Sequence, residues 1–475
     1  SQRHQQPVTL GHVPAEELDH LADWGFDAIW LMGVWQRSPE SERIARAHHD
    51  LQAEYRRALP DFTPEDVVGS PYAVHSYTVD LRLGGAAGLS ALREALAARG
   101  LKLLLDFVPN HVARDHPWTV AHPERLLQGT PDDLRSAPDS FFAVEVGESQ
   151  FVYAHGRDPF FAPWTDTAQL NTAAPETRRA LVAVLEDIAA QCDGVRCDMA
   201  MLTTNDVFSR TWGERGSPGA QPEFWEAIIP QVKAAHADFL FVAEVYWDLE
   251  WSLQQQGFDY TYDKRLYDRL RAPDARAAHD HLYADMGYQE RLLRFIENHD
   301  EPRAVAAFGE LRSKAAAVLA FTLPGARLLH EGQLEGRQVR VPVQLRRRRV
   351  EAPRPDFHDF YRLLMAEVAN PIYQQGEWKL LDVFPAWKAN TSYANLTAHS
   401  WQHNDSYRLV VVNLMPTQAQ GMVHMPRLAL NGREWSFCDV MHNEVYRRDG
   451  DELAMRGLYV DLPGYGYHVF DVKPA

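Results

Sequence analysis

Residues 101–111 read Leu101-Lys102-Leu103-Leu104-Leu105-Asp106-Phe107-Val108-Pro109-Asn110-His111. A nearly continuous apolar run of this length is the mark of a strand buried on both faces of a parallel sheet. The run closes on polar residues, an Asp and then an Asn-His pair. In a β/α barrel, functional side chains sit where strands end, at the carboxyl edge. The preceding stretch, Gly88 to Arg99, carries Leu89, Leu92 and Leu96 at helical spacing and stops at Gly100. A helix feeding a buried strand is half of a βαβ unit, and the flanking sequence repeats it.

Upstream, Ala28-Ile29-Trp30-Leu31-Met32 reads as a strand. Downstream, Thr177 to Gln191 reads as a helix, Gly194 to Met199 as a strand, Phe224 to His236 as a helix and Phe239 to Val245 as a strand. Leu292 to Ile296, Leu311 to Phe321, Arg327 to His330 and Phe357 to Val368 continue as strand, helix, strand and helix. The alternation predicts the α/β class and a (β/α)8 TIM barrel. The first helix, Ala15 to Trp24, has only the short Val8-Thr9-Leu10 before it, so the first barrel strand is expected to be missing or cryptic. A missing strand would bare two neighbouring edges. Residues 112–172 break the rhythm with Pro, Asp, His and aromatics, an inserted domain after strand 3. From 376 onward, short strands such as Tyr407 to Leu414, Met422 to Met425, Trp435 to Val440 and Tyr467 to Val472 predict a C-terminal antiparallel β-sandwich. The expected domains are therefore the barrel (1–111 and 173–375), the insertion (112–172) and the β domain (376–475).

Composition excludes several classes. The net charge of −17 disfavours nucleic acid and anionic membranes as partners. No apolar run approaches a membrane span. The polar start Ser1 to Gln6 does not read as a signal peptide, and the expected compartment is cytoplasmic. Cys192, Cys197 and Cys438 make no disulfide framework and are expected to be buried thiols. The run Arg346 to Arg349 reads as a solvated loop.

Three further strands end as Leu103 to His111 does. Gly194-Val195-Arg196-Cys197-Asp198 sets an Arg and an Asp on one face of a strand, where the cation holds the carboxylate ionised, as a nucleophile requires. Phe241-Val242-Ala243-Glu244-Val245 places a carboxyl among apolar neighbours, an environment that favours a proton donor. Phe295-Ile296-Glu297-Asn298-His299-Asp300 is the fourth. Trp35 and Trp247 lie just beyond strand ends and read as candidate substrate-binding residues that would stack on a ligand ring.

These four stretches, in this order, resemble the signature regions of glycoside hydrolase family 13, the α-amylase family. The resemblance covers about residues 11–475. It implies Asp198 as nucleophile, Glu244 as general acid/base, and Asp300 as the acid that binds the sugar 2- and 3-hydroxyls. It implies Arg196 as the arginine beside the nucleophile, His111 and His299 as sugar-binding histidines, and Asp106 and Asn110 as the structural pair of the first region. Gly69 to Tyr77 resembles the loop whose tyrosine, here Tyr72, stacks on the sugar, and Asp166 to Asn171 resembles the motif closing the inserted domain. No cofactor is implied for the chemistry. Calcium is common in the family, and Asn110 is its candidate ligand, with a hydrogen-bonded loop anchor as the alternative reading.

Two positions depart from the pattern. Asp198 is followed by Met199-Ala200-Met201-Leu202, where many α-amylases carry Lys-His at the third and fourth places to contact glucan and help hold calcium. Ala73 stands where exo-acting α-glucosidases carry an aspartate, which favours action within a chain or on longer oligosaccharides. The resemblance implies double-displacement hydrolysis of α-1,4-glucan or maltooligosaccharides, with carboxyls about 5–5.5 Å apart. Glucanotransfer or maltosyl transfer on the same residues is the second reading, and a non-catalytic glucan-binding member of the fold the third.

Overall fold

The computed structural model describes residues 8–216 and 221–475. The chain forms two compact units. One gathers the chain up to Thr261 together with Val341–Val350, and the other Tyr262–Arg340 with Glu351–Ala475.

In the first unit, Ala28–Leu31 pairs in parallel with Lys102–Phe107, which pairs with Gly194–Cys197, then Leu240–Ala243, then Tyr260–Tyr262. Parallel neighbours need crossovers, and helices Gly85–Ala97, Pro175–Ala189 and Phe224–Ala235 supply them. Pro175 opens its helix where a missing N–H costs nothing. Strand register aligns the polar strand ends. Asp106 lies opposite Arg196, and Cys197 opposite Ala243, so the chain leaves both strands level at Asp198 and Glu244. The Asp198 amide donates to the Phe107 carbonyl at 2.8 Å and the Glu244 amide to the Cys197 carbonyl at 3.0 Å, carrying the ladder one residue past the strands.

Among the described residues no strand precedes Ala28. Leu10–His12 is a single 3-10 turn, so Val8 to Leu10 does not form the opening strand. Tyr260–Tyr262 is a strand that its three-residue length concealed in the sequence. The expected strand Arg327 to His330 shrinks to Ala326–Arg327. Within the inserted stretch, His111–Ala113 pairs with Thr167–Gln169, and Phe141–Val146 forms a hairpin with Ser149–Ala154. Leu127, Phe141, Val152 and Ala154 pack with Phe208 of helix Asn205–Trp212 in one apolar cluster.

In the second unit, Leu292–Arg294 pairs in parallel with Ala326–Arg327 across helix Glu310–Thr322. The β domain stacks two antiparallel sheets. The larger runs Glu377–Leu381, Leu396–His403, Ser406–Asn413, Tyr467–Pro474, Glu434–Asp439 and Glu444–Asp449 in spatial order. The smaller runs Val383–Phe384, Ala419–Val423 and Leu458–Leu462. Leu409, Val411, Phe437 and Phe470 meet Val423, Leu458 and Val460 in the core between them. Cys192 and Cys197 are buried, and burial pushes the Cys192 thiol up to about 12. Cys438 is partly exposed.

The arginine run is less solvated than its composition suggests. Arg347 pairs with Asp61 at 2.9 Å and with buried Asp66 at 2.5 Å. The Arg347 hydrogen bond holds the Asp66 carboxyl below its usual value. A carboxylate so depressed stabilises the fold above its unfolded-state pKa, and that stabilisation disappears as pH falls through the folded value. Arg347→Ala is expected to cost about 2 kcal/mol near neutral pH, because it leaves the buried Asp66 carboxylate without its cation and with only Thr63 as donor. The deficit should shrink as Asp66 protonates, which urea unfolding at neutral and acid pH measures.

Candidate active site

Arg196 is the centre of the first unit's polar cluster. It is 1% exposed. One terminal nitrogen lies 2.8 Å from Asp198 Oδ1 and 3.6 Å from Asp106 Oδ1, and the other lies 2.7 Å from Glu244 Oε2. The guanidinium also stands 5.2 Å from the Trp30 ring centre and 5.1 Å from that of Tyr72. Burying this cation is tolerable because three carboxylates and two aromatic faces surround it.

Asp106 is held in turn. Its Oδ1 accepts from Trp30 Nε1 and its Oδ2 from the Gly33 amide, both at 3.2 Å. Gly33 has φ of 73°, and a Cβ there would meet Pro71 at 2.9 Å, so a larger residue would push the amide away. Glu244 Oε1 accepts from the Tyr246 hydroxyl at 2.6 Å and Oε2 from the Met199 amide at 2.7 Å. The apolar neighbours of Glu244 belong to its strand; the carboxyl itself sits among donors, a correction to the apolar pocket expected from sequence. Met199, Trp247 and Asp248 all have positive φ, at 42°, 63° and 65°. Strain of this kind in residues with side chains costs about 1–3 kcal/mol each and gathers at functional sites. Here it flanks both carboxylates.

His111 is buried, its ring 5.0 Å from that of Trp164. Burial lowers its pKa to about 4, against a smaller opposing influence from Asp166. Asn110 Oδ1 accepts from Gln169 Nε2 at 3.0 Å, and its Nδ2 faces Gln169 Oε1 and His111 Nδ1, each at 3.3 Å. Calcium demands six to eight oxygens, mostly anionic or carbonyl. The contacts of Asn110 to Gln169 and His111 are those of a hydrogen-bonded loop anchor, the alternative reading of this residue.

Trp35 is likewise corrected. It is 1% exposed and its Nε1 donates to the Asp106 carbonyl at 2.7 Å, so it packs and positions and presents no face to a sugar. Met201 and Leu202, at the departing positions after Asp198, are buried in the turn Ala200–Thr203, and Ala73 is buried too. None of them lines a surface. Trp247 is exposed, edge-to-face with exposed Phe160 at 4.9 Å. With Pro159, Val207, Arg210 and Leu249 the two rings line a groove of about 190 Å³. Phe160 and Tyr246 carry no signal in the sequence: Phe160 lies in a Pro- and aromatic-rich stretch without periodicity, and Tyr246 lies past its strand.

In the second unit, half-exposed Asp300 has its carboxylate 3.0 Å from His299 Nε2, and its amide donates to Asn298 Oδ1 at 2.9 Å. Glu297, also unsuspected, is a buried anchor that accepts the Ala304 amide at 2.6 Å and faces Arg303 at 3.2 Å.

Parallel strands that end in paired carboxylates, gripped by one arginine, define a β/α barrel with an acidic site at its carboxyl edge. The alpha-amylase catalytic-domain family matches residues 14–342, and this chain belongs to that family. Alpha-amylase MalA of Haloarcula japonica is 28% identical over 334 residues, which cover 68% of this chain and 41% of MalA. Trehalose-6-phosphate hydrolase of Escherichia coli is 26% identical over 351 residues, covering 65% of this chain and 58% of that enzyme. The chain spans between 41% and 60% of the length of three such relatives, the third being an alpha-amylase of Dictyoglomus thermophilum. Among solved structures, an alpha-amylase of Lactobacillus plantarum superposes with a TM-score of 0.68 at 18% identity, covering 98% of this chain and 94% of that one. The maltogenic alpha-amylase AmyB of Thermotoga neapolitana gives 0.66 at 17%, with coverages of 96% and 93%. These likenesses establish the fold, a TIM barrel with a C-terminal β domain. No described helix is long and apolar enough to cross a membrane.

Asp198→Asn keeps the side chain's shape and removes its charge, so turnover should fall at least about 10⁴-fold with an unchanged circular dichroism spectrum. An unfolded histidine titrates near 6.5 and His111 near 4, so between these values the unfolded chain takes up a proton that the folded chain refuses. Stability should therefore drop as pH falls from about 6.5 to 4, and His111→Gln should make that drop shallower in thermal melts.

Proposed function

We propose that this chain is a retaining α-glycoside hydrolase that cleaves α-1,4-linked glucan or maltooligosaccharides by double displacement. The observation that carries the reading is the shared guanidinium: Arg196 reaches Asp198 and Glu244 with its two terminal nitrogens. Carboxyls held this close favour the spacing of about 5–5.5 Å in which the second carboxylate attacks directly, over the wider gap that admits a water.

Glu244 protonates the leaving glycosidic oxygen while Asp198 attacks the anomeric carbon. The glycosyl group then rests on Asp198, and Glu244 takes a proton from the water that releases it. The Tyr246 hydroxyl and the Met199 amide aim the Glu244 carboxyl. His111 stays neutral and donates a hydrogen bond to a sugar hydroxyl, while the Tyr72 ring offers it a face. Asp300 takes the hydroxyl-binding role on the strength of its motif. The family's enzymes named above as amylases and hydrolases support the class of bond.

Transfer to a second sugar is the alternative, and the Trp247–Phe160 groove is the feature that favours it, since exposed aromatic faces hold an acceptor against competition from water. Incubation with maltotriose separates the two, with Glu244→Gln as control. Glucose and maltose alone indicate hydrolysis, and longer products indicate transfer. On either route Trp247→Ala should raise KM for maltooligosaccharides about tenfold, the worth of one stacking contact, with a smaller change in kcat.

A further inference from the structure

The β domain holds a second cluster of chemistry-bearing side chains, unrelated to the carboxylates of the barrel. Asp439 ends the strand Glu434–Asp439, His442 lies in the turn beyond it, and His468 lies on Tyr467–Pro474, the neighbouring strand. Asp439 is fully buried, His468 largely so, and His442 half-exposed. The Asp439 carboxylate is divided in use. Its Oδ1 accepts the Met441 amide at 3.0 Å, which fixes the turn. Its Oδ2 faces two imidazoles at once, His442 Nδ1 at 2.9 Å and His468 Nδ1 at 2.5 Å. One ligand atom from each residue lies within 4.8 Å of the other two.

We infer that Asp439, His442 and His468 form a binding site for one divalent transition-metal cation of the zinc class. Two imidazole nitrogens and one carboxylate oxygen suit zinc, nickel or copper, whereas calcium and magnesium prefer all-oxygen sets. Zinc held at about 2.0–2.2 Å keeps its ligands roughly 3.3 Å apart. Small side-chain shifts convert the present separations into that geometry. The rings are already aligned: His468 stacks on Phe470 at 4.7 Å, and His442 packs against Tyr467 at 5.2 Å. A cation here would tie the turn 440–443 to the strand beside it, a structural rather than catalytic role.

The test is calorimetric titration of the whole chain, stripped with a chelator, with zinc chloride, and with calcium chloride as comparison. One equivalent of zinc should bind, and a hundredfold excess over Kd should raise Tm by about 3 °C. His442→Ala, at a half-exposed turn position, and His468→Gln should each weaken zinc binding by about 100-fold or more. Absence of stoichiometric zinc binding would reduce the cluster to a hydrogen-bonded His-Asp-His group and overturn the proposal. Zinc affinity unchanged in both variants, or calcium bound more tightly than zinc, would overturn it equally.

Discussion

The three carboxylates of the first unit's polar cluster depend on one buried cation. A guanidinium out of water is costly unless its charge is met on several sides. Arg196 is met by Asp106, Asp198 and Glu244 together. The dependence is mutual, since each of those carboxylates is also buried and would lose its guanidinium partner without the arginine. Strand register makes the meeting possible. Asp106 and Arg196 are direct neighbours across one strand pair, and Cys197 and Ala243 across the next, so the side chains arrive on one face without any loop having to carry them. Sites built on strands hold their geometry better than sites built on loops.

The loops then add strain and shape. Met199 comes directly after the proposed nucleophile in a left-handed conformation, and its amide is spent on Glu244. Trp247 and Asp248 come after the proposed acid/base, also with positive φ, and the Trp247 ring meets Phe160 edge-to-face. The rigid strand edge thus sets where the carboxylates lie, while the strained connections set what surrounds them.

Much of this was legible in the sequence. Apolar runs closing on Asp106, Asp198 and Glu244 announced parallel strands with acids at their carboxyl ends, because burial on both strand faces forces a continuous apolar pattern that polar residues interrupt only for cause. Short elements were not legible: Tyr260–Tyr262 is too brief for periodicity to register. Side-chain environment was harder still. Trp35 and Trp247 occupy equivalent-looking places after strands, yet one is sealed against the Asp106 carbonyl and the other is exposed, a difference fixed by long-range packing. Glu244 comes after Phe, Val and Ala, but its carboxyl meets an arginine, a tyrosine and an amide brought by distant parts of the chain or by a turn. Asn110 carries the right atoms for a calcium ligand and uses them on Gln169, a residue 59 positions away. The metal-competent trio of the β domain joins residues from two strands whose pairing no local pattern discloses.

The central claim is that Asp198 and Glu244, fixed by one arginine, act by double displacement. The configuration of the first-formed product tests it directly. Proton NMR of the anomeric signals, recorded during the first moments of maltooligosaccharide cleavage before mutarotation, should show the α-anomer accumulating first. Initial release of the β-anomer would contradict the account, because it would require water, and not Asp198, to attack the anomeric carbon.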